Sequence, residues 1–174
     1  AAESLGERAA VDAGERGAVD VGEQTAQVDR LGAAADHNVD LSGMTEAPVW
    51  RDSAEPLYRA DSRDPSQIFR DGFQPKNPAD VDLKTFVQTN NPSAFVSTST
   101  DAGLYQKWGA QYRYDIEAPG GIDVNKTLGS HIFESEKEIA FPGGVDPRFV
   151  KGANRVNADG SLGEWIPNPG FNPR

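Results

Sequence analysis

The sequence predicts a mixed α/β (α+β) fold with one folded domain, and three observations carry that reading. Residues 111–118 alternate strictly: Tyr112, Tyr114, Ile116 and Ala118 on one side, Arg113, Asp115 and Glu117 on the other. That is the period of a half-buried strand. Several short segments carry helix start and stop residues. Finally, 18 glycines and 12 prolines among 174 residues favour many short elements over a helical bundle. A chain of this length buries one proper core.

Residues 1–46 read as an acidic Ala/Gly-rich linker or arm, and residues 47–174 as the domain. The first 50 residues hold ten acids and three bases, a net of −7, against 17 acids and 14 bases in residues 51–174, a net of −3. Residues 23–35 suggest a weak helix, but apolar side chains are too few to offset its ordering entropy. The chain starts at Ala1 without an initiating Met and reads as a piece of a longer polypeptide.

Beyond Trp50 the elements follow in order. Leu57-Tyr58-Arg59-Ala60 reads as a short strand. Asp64-Pro65-Ser66-Gln67 then opens a helix, with Asp64 as N-cap, Pro65 at the first helical position, Gln67 completing a capping-box pattern and Gly72 as stop. Residues 80–88 suggest a second helix with Leu83, Phe86 and Val87 inward. Phe95-Val96-Ser97-Thr98-Ser99 is β-prone, and Asp101 caps a third helix carrying Leu104, Tyr105 and Trp108. Residues 122–133 read mostly as loop, followed by a strand at Ile139–Phe141. Trp165 and Phe171 are the expected anchors of the tail.

Composition excludes several chemistries. With no cysteine and two histidines, His37 and His131, disulfides, thiolate sites, a cysteine nucleophile and a histidine-rich metal site are ruled out; no metal is expected. No apolar run reaches the roughly 20 residues of a membrane-spanning helix, and no basic tract announces backbone-driven nucleic-acid binding. No glycine cluster matches a nucleotide fingerprint.

The distinctive stretch is Glu134-Ser135-Glu136-Lys137-Glu138, which runs into Ile139-Ala140-Phe141. In an extended backbone its three carboxylates share one face, and like charges that close resist joint ionisation. Two earlier stretches belong with it: Leu57-Tyr58-Arg59-Ala60-Asp61-Ser62-Arg63 and Ser93-Ala94-Phe95-Val96-Ser97-Thr98-Ser99. In this order and rough spacing, the three motifs resemble the arginine–serine–glutamate class of mono-ADP-ribosyltransferase toxins, the cholera and pertussis toxin group. Glu117-Ala118-Pro119-Gly120-Gly121-Ile122-Asp123-Val124-Asn125 and Gly160-Ser161-Leu162-Gly163-Glu164-Trp165-Ile166-Pro167 are similar to the actinobacterial branch related to scabin and pierisin. The likeness covers residues 50–174. It implies an ADP-ribosyltransferase fold: two small, mostly antiparallel sheets packed at an angle, with short flanking helices.

The resemblance also implies the chemistry. NAD+ is the substrate, and breaking its nicotinamide–ribose bond develops positive charge on the ribose. Glu138 is the carboxylate set beside that charge, an arrangement commonly worth about 10²–10³ in rate. Arg59 takes the phosphates, and the Ala60 backbone meets the nicotinamide amide. Ser97 holds Glu138 in position, with Thr98 and Ser99 bracing the same corner. Arg63 either touches phosphate or pairs with Asp61 or Asp64. Trp108 either borders the nicotinamide pocket or packs in its helix. Glu136 and Phe133 face the acceptor, whereas Glu134 and His131 read as solvated loop residues. Cholera-like members carry a histidine between the arginine and the hydroxyl strand; none stands between residues 60 and 96 here.

Glu136 decides the expected acceptor. Members with Glu there modify arginine, whereas the scabin-like branch typically has Gln and modifies guanine. The expected function is therefore ADP-ribosyl transfer to arginine of a target protein. Guanine modification in DNA or RNA is the first alternative, NAD+ glycohydrolysis the second, and a non-catalytic binding module the last. The expected setting is the monomeric toxin domain of a secreted bacterial protein, delivered into a target cell without a membrane segment and paired with an immunity protein.

Overall fold

The computed structural model describes residues 39–174; the helix suggested for residues 23–35 lies outside them. Seven strands form one hydrogen-bonded sheet: β1 (Leu57–Asp61), β2 (Phe95–Ser99), β3 (Tyr112–Ile116), β4 (Ile122–Asp123), β5 (Glu138–Pro142), β6 (Val150–Val156) and β7 (Leu162–Pro167), in the order β4-β5-β2-β1-β3-β6-β7. Every pairing is antiparallel. Three short helices flank it: α1 (Pro65–Asp71), α2 (Leu83–Thr89) and α3 (Val124–Leu128). None of the described helices is long and apolar enough to cross a membrane.

The sheet is two halves with a seam. β1 pairs with β3 over five residues and β2 with β5 over five, yet β1 and β2 meet at a single pair, Tyr58↔Ser99. The expected two sheets are thus one ladder, nearly parted between β1 and β2. Two apolar clusters form, and the first spans the seam, because β2 and β5 bury both faces. Val96, Ile139 and Phe141 join Leu57, Ile68, Phe73 and Tyr114 on one side, while Phe95 and Ala140 join Leu83, Phe86, Ile122 and Val124 on the other. Burying each such side chain contributes about 1.5–3 kcal/mol. Leu41 and Met44, counted with the arm in the sequence, pack against the second cluster.

Local chemistry explains most boundaries. Asp64 caps α1, but its carboxylate takes the Ser66 backbone N–H at 2.8 Å, so the local turn replaces the capping box expected through Gln67. Asp82 caps α2 through the Thr85 N–H at 3.1 Å. The expected helix after Asp101 is only a 3-10 turn at Leu104–Lys107. Residues 122–128, read as loop, form β4 and then α3, which Asp123 caps through the Lys126 N–H at 3.0 Å. The tail contributes to a β6–β7 hairpin. Trp165 is 39% exposed there rather than a buried anchor, and it lies over Gly152, where a Cβ would come within 2.5 Å of its ring. At Gly144 (φ +98°), a Cβ would stand 2.1 Å from the Phe73 carbonyl. Only glycine permits the paired Phe73–Val145 backbone hydrogen bonds, both 2.9 Å, beside it.

Candidate active site

Strand register places the functional side chains. Ser97 pairs with Ala140 and Ser99 with Glu138, so Ser97, Ser99 and Glu138 share one face, with Ser97 and Glu138 as diagonal neighbours. They line one cleft, open to solvent, with a cavity volume of about 170 Å³. Its walls add Arg59, Ala60, Glu136 and Trp108, all expected there, together with Thr98.

Arg59 stands where the seam opens. Its Nε donates to Asp61 Oδ2 at 3.0 Å and its Nη1 to the Ser97 carbonyl at 2.8 Å. The guanidinium thus joins the halves where backbone pairing has stopped, with the Phe73 ring 5.3 Å beneath it. Burial pulls its pKa below the ordinary arginine value and Asp61 pulls it back up. Two of its five N–H groups are used, leaving three for a ligand. Asp61 holds Arg63 as well, at 2.6 and 2.9 Å, and the two arginines keep its carboxyl below its usual range despite burial. Arg63 therefore takes the ion-pair alternative and is absent from the cleft wall.

Glu138 is 6% exposed. Burial is the main force raising its pKa to about 7, with Glu136 pushing the same way and Ser97 and Arg59 opposing. Burial also raises Glu136, opposed by Lys107 and His131. The hydroxyls beside them brace backbone: Thr98 Oγ1 donates to the Ile139 carbonyl at 2.8 Å, and Ser99 Oγ to the Glu136 carbonyl at 2.6 Å.

The carboxylate stretch differs from the extended reading. Glu134–Glu136 form a 3-10 turn, and Lys137 is left-handed (φ 48°, ψ 51°). That residue reverses the chain into β5, so Glu136 and Glu138 both reach the cleft while Glu134 stays outside, exposed. Trp108, 54% exposed, sits at the rim and not in a helix core. Phe133 begins the turn, half-buried and outside the cleft wall.

Sequence reasoning missed several wall residues. Arg113 lies between the rings of Tyr58 (4.7 Å) and Tyr105 (5.8 Å), and Phe86, Val87 and Asn90 come from α2 and its C-cap. Asp61 had a usable signal: an acid two residues beyond Arg59 in a strand shares its face.

The donor set suits a dinucleotide. Arg59 offers charged, planar donors for a diphosphate, and Glu138 supplies a buried carboxylate across the same cleft. The comparisons agree. A profile of the Scabin-like family matches residues 57–171. The chain is 41% identical over 152 residues to a guanine-specific ADP-ribosyl transferase of Streptomyces coelicolor, covering 83% of this chain and 74% of that protein. It is 34% identical over 143 residues to pierisin of Pieris brassicae, covering 73% of this chain but 17% of pierisin. Among solved structures, the scabin toxin from Streptomyces scabies in complex with NADH is 42% identical at a TM-score of 0.80, covering 84% of this chain and 93% of that one. A structure of a guanine-specific ADP-ribosyltransferase, 40% identical, matches at the same score over 84% and 96%. The chain belongs to the Scabin-like family, has its ADP-ribosyltransferase fold, and is an NAD+-dependent mono-ADP-ribosyltransferase.

Proposed function

We propose that the acceptor is a guanine base and that the domain acts as a toxin delivered into a target cell. The observation that carries this is the 41% identity, over most of both chains, to a transferase named guanine-specific. It favours guanine over the arginine acceptor expected from Glu136, and chemistry lets Glu136 serve a guanine as well. Guanine presents an N2 amino group beside its N1–H, an N–C–N pair of donors shaped like one edge of a guanidinium. A carboxylate with two acceptor oxygens fits either edge, so glutamate at position 136 does not discriminate between them.

In this reading the NAD+ diphosphate rests on Arg59 and the nicotinamide amide on the Ala60 backbone. Bound NAD+ would supply the ADP-ribosyl group to the guanine as its nicotinamide–ribose bond breaks, with nicotinamide as the leaving group. Glu138, ionised and held by Ser97, faces the charge that develops on the ribose. Glu136 orients the guanine amine and takes its proton, with Phe133 and Trp108 flanking the entrance. A toxin of this kind also endangers its producer's own guanines, which is why an immunity partner belongs to the proposal.

The test is transfer from labelled NAD+ to guanosine, single-stranded DNA and an arginine-rich protein in parallel. Label on guanosine and DNA is expected. Label confined to protein arginine would restore the expectation drawn from Glu136, and NAD+ loss without label would leave a glycohydrolase.

A further inference from the structure

His131 was read from the sequence as solvated, but the fold gives it two partners. Its Nδ1 lies 3.2 Å from the Phe133 backbone N–H and its Nε2 2.7 Å from Asn125 Oδ1. A backbone N–H only donates, so Nδ1 must be the acceptor and Nε2 must carry the proton. The same corner closes twice more: Asn125 Nδ2 donates to the Glu134 carbonyl at 2.9 Å, and the His131 N–H to Glu134 Oε2 at 2.7 Å. Asn125 stands on α3, whose Val124 is fully buried and whose Thr127 accepts the Val49 N–H at 2.9 Å. The loop is therefore fastened to a fixed support. At its far end Ser99 holds the Glu136 carbonyl. With His131 turned inward, Ile132 between the two partners is thrown out to 81% exposure.

We infer that His131 is a positioning residue for the acceptor: its neutral imidazole bolts the 131–134 turn to α3, fixing Phe133 and Glu136 on the acceptor side and presenting Ile132 to the incoming base. The inference rests on the proposed guanine acceptor for its functional reading, but the bolt itself is a property of the chain. Glu138 and Arg59 lie on strands and owe nothing to it. Loss of the bolt therefore separates transfer from NAD+ hydrolysis, which needs only water as acceptor.

The experiment measures both rates with labelled NAD+ and guanosine for the wild type, His131→Ala, His131→Asn and Asn125→Ala. In His131→Ala the transfer-to-hydrolysis ratio should fall roughly tenfold, the size of losing one well-made hydrogen bond, with hydrolysis within about twofold of wild type. His131→Asn should recover part of the ratio, because an Asn side chain accepts the N–H two residues on in the same manner. Asn125→Ala should lie between. An unchanged ratio in His131→Ala, or a parallel fall in both rates, would overturn the inference. Imidazole ¹⁵N shifts provide a readout that needs no acceptor: the Nε2–H tautomer is expected, and the Nδ1–H tautomer would remove the bolt outright. A wild type that shows the expected tautomer but never labels guanosine would overturn the acceptor reading and leave the bolt standing.

Discussion

The two walls of the cleft are built differently. The proposed NAD+ side is strand: Arg59, Ser97 and Glu138 sit at fixed register on β1, β2 and β5, with Glu138 almost fully buried. The proposed acceptor side is a turn: Glu136 reaches the cleft, while Phe133 and His131 stand behind it, all three half-buried and positioned by hydrogen bonds around a 3-10 segment and one left-handed residue. A strand wall tolerates little change because each side chain is fixed by its neighbours across the ladder. A turn wall can change its side chains while the chemistry behind it stays put. Donor and acceptor functions should therefore separate under mutation.

The largest effect is expected at Glu138→Gln. Both hydrolysis and transfer should fall about 10²–10³-fold or more, measured as initial rates of nicotinamide release and of label transfer. Retained transfer would break the comparison at its strong side. The same variant tests the buried charge. A carboxyl raised from 4.5 to about 7 in the fold keeps its proton when the unfolded chain has lost it. The folded state then binds more protons between those values, and stability falls as pH rises from about 4.5 to about 7. The penalty is complete above that range, of order 3 kcal/mol at about 1.4 kcal/mol per unit. Glu138→Gln should thus be more stable than wild type in urea at pH 8, with the gain vanishing near pH 4.5. Wild-type NAD+ turnover should rise with pH through about 7.

Next comes Arg59→Lys. A lysine retains the charge but cannot hold Asp61 and the Ser97 carbonyl in one plane. KM for NAD+ should rise roughly tenfold to a hundredfold, with about 1.5–3 kcal/mol lost from stability for a charged hydrogen bond. An unchanged KM would show that Arg59 serves only to join the sheet halves. The smallest and most selective effect is expected for Glu136→Gln. Transfer to guanosine should fall about tenfold and hydrolysis should hold within about twofold. Equal losses in both would mean that the two walls act as one.

The contrast between strand and turn also decides what the sequence could show. Arg59, the hydroxyl strand and Glu138 were legible because the motifs that carry the family resemblance are short contiguous runs lying on strands. The turn was not. Extending the alternation back from Glu138 through Lys137 put Glu134 on one face with Glu136 and Glu138, and a single positive φ at Lys137 undid that. His131 has no periodic signature at all; its role rests on Asn125, six residues away, and exists only once α3 forms. The β6–β7 hairpin hid for another reason. Gly152, Ala153 and Asn154 carry too little side chain to display alternation, and Trp165 covers the glycine from outside.

The single Tyr58↔Ser99 pair has a consequence for how a ligand is held. Where β1 and β2 part after one rung, the Ser97 carbonyl takes the Arg59 guanidinium in place of a β1 peptide group, which makes the seam an unfinished sheet edge facing inward. Edges of that kind grow by adding strand-like partners. A carboxamide is the smallest such partner, one donor and one acceptor in peptide geometry. In these terms the nicotinamide amide, in its proposed place on the Ala60 backbone, would be a one-residue strand added to the sheet, and its release would take that rung away again.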